Sequence, residues 1–375
     1  MPSGETVPSG ETVPSEELVS RVKAAARGCA TAVSSQSPGS PADAFAALAR
    51  ACDELGMDAW DTYGDGGAVA RLEDDLKERF AVEAAAYFPS GVMAQQAALR
   101  VHCDRAGSRR VAMPDLSHLL VHEEDGPRIL HGLEISFLTR GFETPTVAHL
   151  EAVPGRLGAV LVELPLRDAG CLLPTWDQLT ELSAACRARG VPLHVDGARI
   201  WEAQPWFGRP LSEIAGQADS LYVSFYKGLA GLAGAALLGS QDFIDEARLW
   251  RRRLGGTIYR TTAEAVSALV GLRDRLPLVP DTVAWARAFA AALPSQVSAQ
   301  PGVPQTNQFL LFADGDADVV NERTAAAIDE HRIGLPAWSP DLQPCRIRCE
   351  VVVAPAALGL DPVAMAALVA DVATG

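Results

Sequence analysis

The chain has 375 residues, 48% of them hydrophobic, which is enough for one large domain plus a smaller one with ample core. A formal net charge of −15 argues against the basic face that a nucleic acid or an anionic membrane requires, and no apolar run approaches the ~20 residues of a membrane span. The seven cysteines are dispersed without Cys-x-x-Cys spacing, which implies reduced thiols in a cytoplasmic protein and no metal site.

Residues 2–14 carry PSGETV twice in tandem, a low-complexity stretch that is expected to be a disordered tail, and Ser15-Glu16-Glu17 can cap a short helix ending near Ala26. After the turn Tyr63-Gly64-Asp65-Gly66-Gly67, the spacing of Val69, Leu72, Leu76 and Phe80 predicts a helix. A strand over Ala85 to Phe88 passes through Pro89-Ser90-Gly91 into a helix reaching His102. Val111 to Met113, Ala159 to Leu164, Val191 to Val195, Leu221 to Phe225 and Ala235 to Leu238 read as buried strands, with a helix at Trp176 to Arg189. This strand–helix alternation predicts an α/β fold with a parallel sheet.

Helices follow near 241–253, 262–275 and 281–293. Arg251-Arg252-Arg253 is expected on a solvated face or a subunit contact. The last hundred residues read as a strand at Phe309 to Phe312, a helix at 317–331, a strand at Arg346 to Val353 and a helix at 361–373, a smaller α+β unit. Strand alternation puts Cys345, Ile347 and Cys349 on one face as small core residues.

Two features point to chemistry. The apolar run Leu193-His194-Val195 ends in Asp196, and the run Leu221 to Phe225 delivers Lys227 into the Gly-rich turn that follows. Singly, an Asp-Gly step reads as a turn and a lysine before glycine as a helix cap. Together they set an acid and an amine at the ends of two strands of one sheet. Pyridoxal phosphate (PLP) needs that pair: the amine forms a Schiff base with its aldehyde, and the carboxylate pairs with its pyridinium nitrogen. The helix start at Ser90, Gly91 and Val92 offers unpaired amides to a phosphate, and Ser224 can add a hydroxyl; an ordinary strand–helix turn is the alternative. His194 points away from Asp196 along an alternating strand and is expected to pack.

The blocks YGDGGAVARLEDDLKERFAVEAAAYFPSGVMAQQAALRVH, HVDGARIWEA and DSLYVSFYKGLAGLAGAALLGSQDFIDEARLWRRRLGG resemble the L-threonine aldolases of the β-eliminating lyase superfamily, from about Asp61 to Gly256. The resemblance implies the fold type I architecture of PLP enzymes. On that plan residues 1–27 form the tail and short helix, 28–275 a large PLP-binding domain and 276–375 a small C-terminal α+β domain. It implies a homodimer or homotetramer. It also implies that Lys227 carries PLP and that Asp196 faces the ring nitrogen. His118 would stack on the ring and move protons, and His122 and Glu123 would support it. Arg199 would hold the substrate carboxylate, joined by Arg346 or Arg348, for which a solvated strand face is the alternative.

Departures cluster on the substrate side. Val92 stands where the family has threonine, and Leu166 where it has the histidine that meets the substrate β-hydroxyl. Ser34-Ser35-Gln36-Ser37 takes the place of an N-terminal motif, and Gly255-Gly256-Thr257-Ile258-Tyr259-Arg260 displaces an arginine by one. The implied reaction is retro-aldol cleavage of an L-β-hydroxy-α-amino acid, a small-molecule substrate, to glycine and an aldehyde. Leu166 suggests a β-substituent bulkier than that of threonine. β-Elimination, transaldolase chemistry and a non-catalytic PLP-binding scaffold are the alternatives.

Overall fold

The structure is a computed structural model that describes residues 16–34 and 40–375. The tandem-repeat tail and Ser35, Gln36 and Ser37 lie outside the described residues. The described residues form two compact units: one takes its residues from 40–284 and 304–308, the other from 16–34, 285–303 and 309–375.

α1 (Glu16–Arg27) and the short strand β1 (Thr31–Ala32) open the described chain. α2 (Pro41–Leu55) starts where the Ser40 hydroxyl accepts the Asp43 amide and stops at Gly56 in the left-handed region. α3 (Gly67–Phe80) buries Val69, Leu72, Leu76 and Phe80, the face anticipated from their spacing. There follow β2 (Ala84–Phe88), α4 (Gly91–Ala106), β3 (Arg110–Met113), α5 (His118–Val121), α6 (Gly126–His131), β4 (Glu134–Phe137), α7 (Val147–Glu151), β5 (Ala159–Glu163) and α8 (Trp176–Arg189). Then come β6 (Leu193–Gly197), α9 (Ile200–Phe207), α10 (Leu211–Ala215), β7 (Ser220–Ser224), β8 (Ala235–Gly239), α11 (Gln241–Arg253) and α12 (Thr262–Asp274).

The seven-stranded sheet of the larger unit runs β2-β8-β7-β6-β5-β3-β4. β4, β3, β5, β6 and β7 are parallel, whereas β8 is antiparallel to both its neighbours. The expectation of a parallel strand at Ala235 to Leu238 is therefore corrected. No helix intervenes between β7 and β8, so the chain folds back along the sheet instead of crossing over it. β4 was not anticipated, because Glu-Ile-Ser-Phe is a partly exposed edge strand without an apolar run. β2, β5, β6 and β7 are buried along their whole length, which explains why they read as continuous apolar runs. Their parallel members deliver Glu163, Asp196 and Ser224 to one carboxyl edge, where ligands of open α/β sheets bind.

α13 (Val279–Ala291) precedes the smaller unit's strands β9 (Val297–Gln300) and β10 (Gln308–Asp314), then α14 (Ala317–His331), β11 (Ile333–Gly334), β12 (Ser339–Pro340), β13 (Arg346–Val352) and α15 (Pro362–Thr374). Its sheet order is β12-β13-β10-β9. α1 packs on α14 and β1 pairs with β11, so the first helix belongs to the C-terminal unit's core and is not a segment apart. Ile347 and Cys349 are buried as expected, but Cys345 is exposed: it precedes β13 in the left-handed region (φ 61°) and never joins the strand's alternation.

At the end of the large sheet away from that carboxyl edge, His102 Nε2 and His194 Nδ1 both bond the Ser220 hydroxyl, at 2.7 and 2.8 Å. His194 thus packs, as its place in the strand implies. Burial pulls both imidazoles from 6.5 down to about 3. Each is neutral when folded but protonates near 6.5 when unfolded, so its stabilisation is present above that pH and is lost as pH falls toward 3. Urea unfolding between pH 6 and 4 should show stability falling by about 1.4 kcal/mol per pH unit for each histidine. His102→Asn should remove about one proton from that slope; an unchanged slope would show that His102 is not the group responsible.

Candidate active site

The site starts from strand register. Glu163 at the end of β5 lies opposite Asp196 in β6, and Asp196 lies opposite Tyr222 in β7. Asp196 is buried and accepts the Ala198 amide at 2.9 Å; burial raises its carboxyl, opposed by Lys227, the Ala198 amide and a Gln95 hydrogen bond from α4. Lys227 follows β7 by three residues. Burial lowers its basicity, with Asp196 the main group opposing that and Arg199 adding to it. Its ammonium lies 6.0 Å from the Tyr226 ring centroid. A half-buried amine beside a buried carboxylate can lose its proton more readily than a free lysine and act as a nucleophile.

The expected phosphate turn lies where β2 meets α4. Ser90 is the helix N-cap, its extended backbone turning the chain and its hydroxyl accepting the Met93 amide at 3.5 Å. Gly91 opens the helix because nothing larger fits: a Cβ there would lie 2.1 Å from the Tyr222 hydroxyl. The amides of Gly91 and Val92 thus begin a 16-residue helix with no acid in its first turn. Ser224 shares the Tyr222 face of β7 and sits beside the phenols of Tyr222 and Tyr226. Below, Arg251 is buried and donates to the Tyr87 carbonyl at 2.5 Å. That corrects the solvated-face expectation for Arg251, since α11 turns this residue into the core and leaves Arg252 and Arg253 exposed.

On the other flank, the Ser117 hydroxyl and the His118 amide both donate to Glu163 Oε1, at 2.8 and 2.5 Å. His118 Nδ1 faces Glu123 at 3.1 Å, and the His122 ring centroid is 4.9 Å away. Burial, then the Lys227 and His122 charges, pull His118 down to about 4, so its ring is neutral near pH 7. His122 Nε2 meets Asp168 Oδ2 at 2.9 Å, and Arg167 pairs with the same carboxylate at 3.3 Å. Arg199 is buried with Nε and Nη1 lacking partners, which leaves guanidinium donors available to a carboxylate. One turn on, Glu202 is fully buried and presses on the lysine turn: a Cβ at Gly228 would lie 1.4 Å from its Oε1.

The structure therefore gathers Lys227, Asp196, His118, Arg199, Ser90, Gly91, Val92 and Ser224 within the larger unit. Arg346 and Arg348 belong to the smaller unit. They share the face of β13 opposite Ile347 and Cys349, and the Arg346 guanidinium lies 4.4 Å from the Phe312 ring centroid. Leu166, expected to meet substrate, is only 1% exposed and exchanges main-chain hydrogen bonds with Leu172 at 2.9 and 3.1 Å. Its side chain is packed inside the loop, so the apolar substrate contact is corrected. Sequence reasoning missed Glu163, although Val-Leu-Val-Glu carries the same apolar-run-then-acid signal that singled out Asp196. Gln95, Glu202 and the His122–Asp168 pair had no such signal, since their partners are brought in by the fold.

Known proteins share the family and fold of this chain. The profile of the β-eliminating lyase family matches residues 42–315. Low-specificity L-threonine aldolase 1 of Arabidopsis thaliana is 27% identical over 289 residues, 73% of this chain and 80% of that protein. The structure of a candidate L-allo-threonine aldolase from Listeria monocytogenes EGD-E superposes with a TM-score of 0.87 at 31% identity, covering 95% of this chain and 99% of that one. A serine palmitoyltransferase from S. paucimobilis with bound PLP, 17% identical with a TM-score of 0.65 over 91% of this chain and 86% of its own, shares the fold alone. The chain belongs to the β-eliminating lyase family, on its threonine aldolase branch, with the fold type I architecture.

Proposed function

We propose that this protein is a PLP-dependent aldehyde-lyase that cleaves an L-β-hydroxy-α-amino acid, L-threonine or L-allo-threonine among them, to glycine and an aldehyde. One observation carries the reading: a buried carboxylate, Asp196, faces a half-buried lysine, Lys227, at the carboxyl edge of the sheet, with a neutral imidazole alongside. The residues present fit PLP. The Ser90-Gly91-Val92 turn and Ser224 offer donors for its phosphate, Asp196 offers a buried anion for a pyridinium, and Lys227 offers the amine. When bound, PLP supplies an aldehyde for amine capture and a ring that takes up the electron pair released at the substrate α-carbon.

The chain's own groups account for the rest. Lys227 would hold the cofactor through its side-chain amine. Burial pushes the Asp196 carboxyl upward against the opposing pull of Lys227, the Ala198 amide and Gln95, and this carboxylate would face the ring nitrogen of the cofactor. Arg199 would use its unpartnered guanidinium donors on the substrate carboxylate. His118, neutral and held by Glu123, would lie against the bound cofactor and carry protons at the reacting centre. A homodimer or homotetramer in the cytoplasm completes the reading; the seven cysteines, all free, are consistent with a reducing compartment.

Three measurements test it. Hydride reduction of the PLP-reconstituted protein followed by peptide mapping should label Lys227, and label on another lysine would sink the assignment. Asp196→Asn should keep the fold and PLP binding while losing most cleavage, because an amide does not stabilise a protonated ring nitrogen; a near-normal rate would show the carboxylate misassigned. His118→Ala should lower kcat by on the order of 10²-fold, and an unchanged kcat would demote it to a structural histidine.

A further inference from the structure

We infer that His122, oriented by Asp168, is the base that takes the β-hydroxyl proton of the substrate, an assignment that rests on the aldol-cleavage reading above. The pair is assembled from two distant segments. α5 is a single turn that carries His118 and His122 at its two ends, and Asp168 arrives from the loop after β5, 46 residues on. Both Asp168 oxygens lie within hydrogen-bond reach of His122 Nε2, at 3.1 and 2.9 Å. An ionised carboxylate only accepts, so Nε2 carries the ring hydrogen and Nδ1 keeps the lone pair of a base. Arg167 Nη1 lies beside both partners, 3.3 Å from Asp168 Oδ1 and 3.4 Å from His122 Nε2.

The pair sits against His118, whose ring centroid is 4.9 Å from that of His122. His118 feels the charges of Lys227, His122, Arg167 and Asp168 together, and Glu123 feels both His122 and Lys227. The side chains of His122 and Asp168 are 37% and 22% exposed, so a substrate can reach the imidazole without moving the core. The alternatives serve this step less well. Burial and the neighbouring Lys227 charge weaken His118 as a base. Leu166 is buried and has no titratable group. His102 and His194 bond Ser220 away from the site, and His149 caps α7 through Thr146.

The step balances within the substrate and the imidazole. Nδ1 takes the proton of the β-hydroxyl, and the electron pair of that O–H bond becomes the second C–O bond of the aldehyde. The pair of the breaking Cα–Cβ bond remains with Cα. Asp168 stabilises the imidazolium, which returns a proton through solvent as Cα is protonated to glycine. A carboxylate-held imidazole is suited to this because the positive charge it gains forms next to an existing anion.

The test separates β-hydroxyl deprotonation from all other steps. Exchange of the glycine α-proton with deuterium oxide uses Lys227, Asp196 and the cofactor but involves no β-hydroxyl. In PLP-loaded protein, cleavage of L-threonine and L-phenylserine is measured by aldehyde release, glycine exchange by NMR, and cofactor loading by absorbance. In His122→Phe the ratio of cleavage to exchange should fall by on the order of 10²-fold. Asp168→Asn should lower it in the same direction, and added imidazole should restore part of the ratio in His122→Gly. A wild-type protein that cleaves, together with His122→Phe and Asp168→Asn variants that keep the same ratio, overturns the assignment of His122 alone. A wild-type protein that exchanges glycine yet cleaves no β-hydroxy amino acid overturns the aldol-cleavage reading itself, and this assignment with it.

Discussion

The attraction between the Asp196 carboxylate and the Lys227 ammonium organises this molecule's chemistry, because both charges are largely withdrawn from water. A buried carboxylate alone would take up a proton, and a buried lysine alone would give one up; each restrains the other's shift. Glu163 sharpens the balance. It sits one strand over, faces Asp196 in register and is pushed upward by burial and by Asp196, while Ser117 and His118 donate to it. Two acids so close in a low dielectric do not both ionise freely, and the one beside the lysine has the better claim to the negative charge.

Close packing then fixes where these charges stand. Gly91 lies against the Tyr222 hydroxyl, and Gly228 lies against Glu202, so each approach leaves no room for a side chain. The first contact presses the helix start onto β7. The second holds the lysine turn over α9, whose N-cap is Arg199. Any substitution that widened either contact would move an amide or the amine relative to Asp196, and catalytic geometry tolerates little such movement.

Around this core the fold sets two imidazole–carboxylate pairs one helical turn apart, His118 with Glu123 and His122 with Asp168. Their environments differ. His118 is pinned beneath the surface and kept neutral, whereas His122 is open to solvent and held from outside by the Asp168–Arg167 pair. A ring that stays neutral suits stacking and short proton hops; an accessible ring backed by an anion suits accepting a proton from substrate. One short helix thus holds two imidazoles in different surroundings.

By itself the sequence determined the elements whose signal is local. α8, α11 and α14 were legible to within a residue or so from period and caps, and β5, β6 and β7 from apolar runs, because a strand buried on both faces has no choice of composition. Asp196, Lys227 and the Ser90-Gly91-Val92 turn were legible for the same reason: each ends or follows a buried strand at a place that chain statistics mark. The antiparallel course of β8, the edge strand β4, the joining of α1 to the C-terminal unit and the burial of Arg251 and Leu166 were decided only in three dimensions. So were the pairs Glu163–Asp196 and His122–Asp168, whose members lie 33 and 46 residues apart. A local pattern reports what a segment does with its own backbone and solvent. Which polar group meets which other depends on strand register and loop path, and those are settled by the packing of the whole sheet.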